Sequence, residues 1–294
     1  MRSNNFLKNL GLQSFYVGPV ILFFTLIMVV PFFLGMYYSL TDWNGVARTV
    51  NWVGLDNFQR IFTNDPEFWK SFGFTVRFTV LGVVLTNVVG FALAYFLTRA
   101  LKMRNLLRTI FFMPNVIGGL LLGFIFQFIF IKGFDTIYNL TGWSFFGLPW
   151  LGDATTGFWG ITMVFIWHQA GYLMVIYIAS LTNVPSEILE AAEIDGASRW
   201  QLLRSIIIPL IMPAVTICLF LAISWAFKIF DLNLSLTRGG PFRSTESVAM
   251  NIYNEAFQNN RYGLGTAKAM LFFVIVAVIT IIQVRLTKKR EVEA

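Results

Sequence analysis

The chain has 294 residues, 56% of them hydrophobic and 13% charged, with a mean hydropathy of +0.67. Soluble domains carry about 25% charged residues, so this composition excludes a soluble globule and points to an integral membrane protein. The net charge of +7 does not point to nucleic acid, because the basic residues cluster beside apolar runs. The single cysteine, Cys218, excludes an internal disulfide or a cysteine-based metal site.

Six segments reach the roughly 20 apolar residues needed to cross a bilayer. They lie near 13–38, 72–97, 109–131, 158–181, 206–230 and 264–284, which predicts an all-α, polytopic protein with one transmembrane domain over 1–294. The first is charge-free from Asn9 to Thr41 and no small-residue cleavage pattern follows it, so it reads as a retained span that Pro31 should kink. Arg77 in the second span and Lys268 in the sixth stand near span ends, where long cationic side chains snorkel to the interface. Twelve of the 22 Lys and Arg residues fall on the side of the two termini and of the loop around Glu190. Seven fall on the other side, and Arg77, Lys228 and Lys268 lie within spans. The positive-inside rule therefore predicts that both termini and the Glu190 loop are cytoplasmic.

On the opposite side, Trp52-Val53-Gly54-Leu55-Asp56-Asn57-Phe58 reads as a turn followed by a short interfacial helix. Residues 132–157, rich in Gly, Trp and Phe, read as a lid-like loop lying on the membrane surface with its aromatic side chains in the interface belt. Leu236-Thr237-Arg238-Gly239-Gly240-Pro241 makes a tight turn after the fifth span.

Between the fourth and fifth spans lies a polar island, with no Asp, Glu, Lys or Arg over 154–186 or 205–227. Pro185 and Ser186 are helix-start residues, acidic side chains fill the next turns and Gly196 stops the helix, so residues 187–195 form a rod of about 13 Å. Ile188, Ala191, Ala192 and Asp195 share one face, where two adjacent alanines allow close approach of another surface. Glu187 and Glu190 share a neighbouring face suited to a basic partner. The same pattern also suits a short amphipathic helix in the headgroups.

Polar residues inside spans are costly and mark functional candidates. Asn87, Asn115, Gln127, His168, Gln169, Tyr172, Ser224, Trp225, Lys228 and Asp231 qualify. His168, Gln169 and Tyr172 fall on adjoining faces of one helix; Trp225, Lys228 and Asp231 stand three apart on another. Lys228 with Asp231 also reads as an internal ion pair, His168 as a satisfied buried imidazole and Trp225 as packing. No Lys follows a Gly, so no phosphate-binding P-loop is present, and neither HExxH nor GxSxG occurs. His168 has no second histidine for a metal site.

Three stretches carry a family resemblance. Glu190-Ala191-Ala192, then three residues to Gly196 and nine more to Ile206-Ile207-Ile208-Pro209, is similar to the EAA loop of ABC-importer permeases, with Ile208 where Leu is usual. Trp52 to Phe58 resembles the W-x-G-L-x-N-F sequence of sugar-type permeases. Leu236 to Pro241 with Ser244-Thr245-Glu246 resembles their L-T-x-G-G-P…S-T-E turn. Together these resemble the MalF-like, sugar-type inner-membrane permeases over nearly the whole chain, apart from the termini and 132–157.

The resemblance implies a type I ABC importer permease fold and a non-enzymatic transport subunit in a bacterial inner membrane. It implies import of a di- or oligosaccharide delivered by an extracytoplasmic binding protein. The chain itself binds no cofactor: ATP and Mg sit on two partner ATPase subunits, and a second permease, by family habit a different chain, completes the pathway. Coupling to the ATPase falls to Glu187, Glu190, Ala191, Ala192, Asp195 and Gly196, within the loop 185–209. Sugar contacts fall to Tyr172 and Trp225, joined by His168, Gln169, Lys228 and Asp231. A permease for another small solute and an ion-coupled secondary transporter are the alternatives.

Overall fold

A computed structural model describes residues 15–99, 102–289 and 291. Arg2, Lys8 and Arg290, part of the charge asymmetry, and residues 13 and 14 of the first segment lie outside the described residues. Among the described residues the structure is helical, with one isolated antiparallel bridge, Thr41 to Trp52. Five helices among the described residues are long and apolar enough to span a bilayer, and a sixth span counts a pair bent by 74° as one. The chain packs as two compact units, Met1–Asp65 with Ile252–Phe272, and Pro66–Asn251 with Phe273–Ala294.

In the first unit, α1 (Phe15–Ser39) is continuous, and none of its most apolar 18-residue stretch is buried. A π-helical turn at Thr25–Val29 precedes Pro31, with the Val30 N–H reaching back to Thr25 O. Extra backbone inserted there gives the proline ring room without breaking the helix. Helix α2 (Asp56–Asn64) follows the Trp52–Phe58 stretch. Asn57 Nδ2 donates to Ser39 O at 2.9 Å and Thr41 O at 2.8 Å, so this asparagine caps the carbonyl end of α1. Lys268 does not snorkel. It is fully buried, and its ammonium lies 2.7 Å from both Asp65 Oδ2 and Glu255 Oε2. Two carboxylates compensate the cost of burying the cation, as an interior site requires.

The second unit is organised around α3 (Pro66–Leu97) and α6 (Ala154–Leu181). Without a hydrophobic driving force between helices in lipid, close approach at small residues supplies the packing. A Cβ on Gly90 would stand 3.0 Å from Ala170 O and from Leu173 Cβ. The intramembrane Asn87 is fully used here: it accepts from Tyr177 Oη at 2.7 Å and donates to Val83 O at 2.8 Å. At the far end Arg108 donates to Leu97 O at 2.9 Å and places its charge on the carbonyl end of α3.

The third span differs from expectation. Helix α4 (Arg104–Phe112) gives way to a 3₁₀ turn at Met113–Val116. Ile117 and Gly118 are extended, and α5 (Gly119–Thr141) forms the span, displaced from 109–131 by about ten residues toward the C-terminus. Pro114 removes a backbone donor in the middle of the apolar run and ends the first helix. The lid-like loop is corrected with it. Residues 134–141 are the last turns of α5, and only 142–153 form turns, folded over Phe134, Phe145 and Trp150 in an aromatic cluster.

Candidate functional site

The polar island folds as α7 (Ser186–Ile194), with Pro185 extended at its start. Gly196 has φ +80° in the left-handed region. Gly196 N–H donates to Glu193 O at 3.1 Å and Ala197 N–H to Ala192 O at 3.0 Å, the paired bonds of a Schellman ending. Three residues later α8 (Arg199–Leu210) begins with a reciprocal cap: Ser198 N–H donates to Gln201 Oε1 at 2.8 Å, and Gln201 N–H to Ser198 Oγ at 3.3 Å. Two capped helices joined by four residues form a stiff elbow. Glu187, Ile188, Glu190, Ala191, Ile194 and Asp195 are exposed, and neither Glu187 nor Glu190 has a side-chain partner among the described residues. Ala192 is corrected. It is buried at 8% exposure, while Leu189 packs on the core, so the helix presents Ile188, Ala191 and Asp195 outward and seats itself through Ala192.

Beyond α8 the chain bends by 74° at Ile211 and continues as α9 (Met212–Phe227). Pro209 and Pro213 flank the bend, and Pro213 has no N–H to donate back to the Pro209 carbonyl. Helix α9 stops at Phe227, and α10 (Asp231–Leu236) begins after Lys228–Phe230. Trp225, Lys228 and Asp231 are therefore not on one helix. Lys228 and Asp231 are both exposed and form no ion pair among the described residues. Asp231 lies against α5 instead, where a Cβ on Gly119 would stand 3.2 Å from its Cβ.

Tyr172 and Trp225 do meet, edge to face, with ring centroids 5.4 Å apart. Phe112 stacks on the other side of Tyr172 at 6.3 Å. Gln169 Oε1 accepts from Asn115 Nδ2 at 2.9 Å, and His168 Nε2 lies 3.1 Å from Ile117 O. The break in the third span thus delivers Phe112, Asn115 and the Ile117 carbonyl to α6. Phe112 was not legible from the sequence and Asn115 only as a polar residue in a span; Pro114 with Gly118-Gly119 was the available signal of the break. His168 is a satisfied ring, half-buried, while Tyr172 remains 36% exposed. The cluster offers two aromatic faces beside amide and hydroxyl groups, a chemistry suited to a neutral polyhydroxylated solute. No group of three or more metal-ligating side chains occurs among the described residues.

The segment 236–247 is a hydrogen-bonded plug rather than a free turn. Asn233 Nδ2 donates to Thr245 O at 2.8 Å and Thr245 Oγ1 to Gly240 O at 2.7 Å. The Val248 N–H reaches Thr75 Oγ1 at 2.9 Å.

The model of the binding-protein-dependent transport system inner membrane component family matches residues 86–292. The chain belongs to that family. Among curated relatives, the permease is 46% identical over 288 residues to the probable starch degradation products transport system permease protein AmyD of Thermoanaerobacterium thermosulfurigenes, covering 98% of each chain. It is 33% identical to the multiple sugar-binding transport system permease protein MsmF of Streptococcus mutans, over 95% of this chain and 96% of that one. The crystal structure of a bacterial ABC transporter that imports the acidic polysaccharide alginate superposes with a TM-score of 0.82 at 19% identity, over 98% of this chain and 99% of that chain. The permease is accordingly a multi-pass membrane protein with the ABC-importer permease fold, a transport subunit and not an enzyme.

Proposed function

We propose that the permease forms part of the membrane pathway of an ATP-driven importer for a di- or oligosaccharide. The full-length relationship to AmyD at 46% identity carries this reading. The Tyr172–Trp225 pair beside Asn115 and Gln169 supports it with chemistry suited to sugar. Residues 1–294 act as one permease domain with both termini and α7 in the cytoplasm and the Thr237–Glu246 plug outside. An extracytoplasmic binding protein delivers the sugar, and a second, different permease chain completes the channel. Two ATPase subunits hold the ATP and Mg, and this chain holds no cofactor.

Coupling runs through α7. The face formed by Glu187, Glu190, Ala191 and Asp195 docks on the ATPase, and Gly196 and the Ser198 cap hold the elbow that passes a push to α8. The bend at Ile211 is the joint through which α8 moves α9, and with it Trp225. Tyr172, Trp225 and Gln169 contact the sugar, His168 positions α6 against the Ile117 carbonyl, and Lys228 just past α9 and Asp231 at the start of α10 meet its polar rim.

The test is uptake into proteoliposomes holding the complete complex, with binding protein outside and ATP inside. ATP-dependent accumulation of a labelled malto-oligosaccharide, with none of an amino acid or phosphate, is expected. Uptake driven by an ion gradient without ATP, or accumulation of an amino acid or phosphate in place of sugar, overturns the reading.

A further inference from the structure

A cleft of about 880 Å³ opens along residues 69–81 of α3 and has no part in the Tyr172–Trp225 cluster. Its walls divide by chemistry. Farther along α3 it is apolar, with Val80 and Leu81; nearer the start of α3, Lys70 and Arg77 flank Phe74, Arg243 also lines the cleft, and no acidic side chain does.

Arg243 is committed, pairing with Glu67 and lying 2.8 Å from the buried Glu246. Lys70 and Arg77 are not: both are exposed, and neither forms an ion pair among the described residues. Seven residues apart, they share one face of α3 with Cα atoms about 10 Å apart along the axis. Flexible stems of that length bring both charges onto one anion.

The depth of the cleft identifies its occupant. Residues 78–98 carry no charge, and at 1.5 Å per residue they span about 31 Å, close to the roughly 30 Å of a bilayer's hydrocarbon core. Arg77 on α3 and Arg99 just past its end therefore mark the two edges of that core. Arg77 and Lys70 stand at headgroup level with Trp69 beside them, while Val80 and Leu81 lie just inside the hydrocarbon. A soluble anion meets only the basic end of such a cleft. A lipid with a negative headgroup and an acyl chain meets both ends.

We propose that this cleft is a binding site for one anionic phospholipid, its phosphate held by Lys70 and Arg77 and one acyl chain lying along Val80 and Leu81. The site is independent of the transported solute, and it ties α3, the start of α6 and the plug at 242–244 to a component of the surrounding bilayer.

The test is native mass spectrometry of the complete transporter, delipidated in detergent and then titrated with phosphatidylglycerol, with phosphatidylcholine of the same chains, or with inorganic phosphate. One phosphatidylglycerol is expected to be retained per copy of this chain, in preference to phosphatidylcholine. At about 1 kcal/mol for each basic residue near a charged surface, its apparent affinity should fall about fivefold for Lys70→Gln or Arg77→Gln and about 25-fold for both. The pair Lys70→Arg with Arg77→Lys should retain it. Val80→Trp, which fills the apolar end and leaves the cations intact, should lower retention independently of charge. Equal retention of the two lipids, or unchanged affinity in the double Gln variant, overturns the proposal. So does displacement of phosphatidylglycerol by millimolar phosphate, which marks a soluble-anion site. Absence of any retained lipid also overturns it and assigns the cleft to a neighbouring subunit.

Discussion

The elbow at Gly196 gives the sharpest test of coupling. A Cβ built on Gly196 meets nothing within 4 Å, so any replacement acts through the backbone and not through a clash. At φ +80° an L-residue pays roughly 1–3 kcal/mol, and a β-branched one stands at the upper end. If the chain escapes that strain, it opens the Schellman ending and gives up the bonds to Glu193 O and Ala192 O, at about 1 kcal/mol each. Either route costs Gly196→Val about 2–3 kcal/mol of elbow geometry. Asn tolerates the left-handed region, so Gly196→Asn keeps the turn at a few tenths of that cost. Sugar uptake and sugar-stimulated ATP hydrolysis should therefore fall at least tenfold in Gly196→Val and stay within about threefold of wild type in Gly196→Asn, with both variants inserted normally. Wild-type activity in Gly196→Val refutes the elbow. Equal loss in both variants refutes its conformational basis, since the left-handed backbone would then not be what the site requires.

Glu190→Ala should lower uptake and ATPase co-purification together, whereas Ala192→Leu should act by unseating α7, at about 1–3 kcal/mol of overpacking, and appear first as lost thermal stability of the inserted complex. Tyr172→Ala and Trp225→Ala should each reduce uptake with assembly intact, the ring pair itself accounting for about 0.5–1.5 kcal/mol, and normal uptake by both would assign the pair to packing alone. Phe242 is fully exposed, while Ser244 Oγ is buried, so Phe242→Cys should react with an impermeant maleimide outside cells and Ser198→Cys should not; the reverse pattern overturns the orientation. Lys268→Met removes the buried cation that Asp65 and Glu255 share, leaving Glu255 the longer Arg261 contact at 3.4 Å, and should cost about 3–5 kcal/mol in an unfolding assay. The Thr155 N–H, followed by that of Thr156, holds the Asp153 carboxyl below its usual range at the start of α6. A depressed carboxylate stabilises the fold above its unfolded pKa and loses that contribution as pH falls through the folded one. Acid sensitivity below about pH 4 should therefore be smaller in Asp153→Asn, and an identical acid profile in the variant would remove the cap from the account.

The sequence by itself determined the elements whose cause is local. Charge-free runs longer than a bilayer's thickness, and Pro185 and Gly196 around a short acidic helix, act within a few residues or through the lipid, so they are legible without a fold. Tertiary structure decided what depends on which surfaces meet. Ala191 and Ala192 look alike in sequence, yet only Ala192 is turned onto the chain's own core, because Leu189 on the same side fixes how α7 is seated. Trp225, Lys228 and Asp231 share a helical spacing that the stop at Phe227 cancels, whereas Tyr172 and Trp225, 53 positions apart, meet because α9 resumes after the bend at Ile211. Lys268 sits near a span end where snorkelling is open to it. Asp65 and Glu255, distant in sequence, draw it inward, because two carboxylates at 2.7 Å outweigh the water it would otherwise reach.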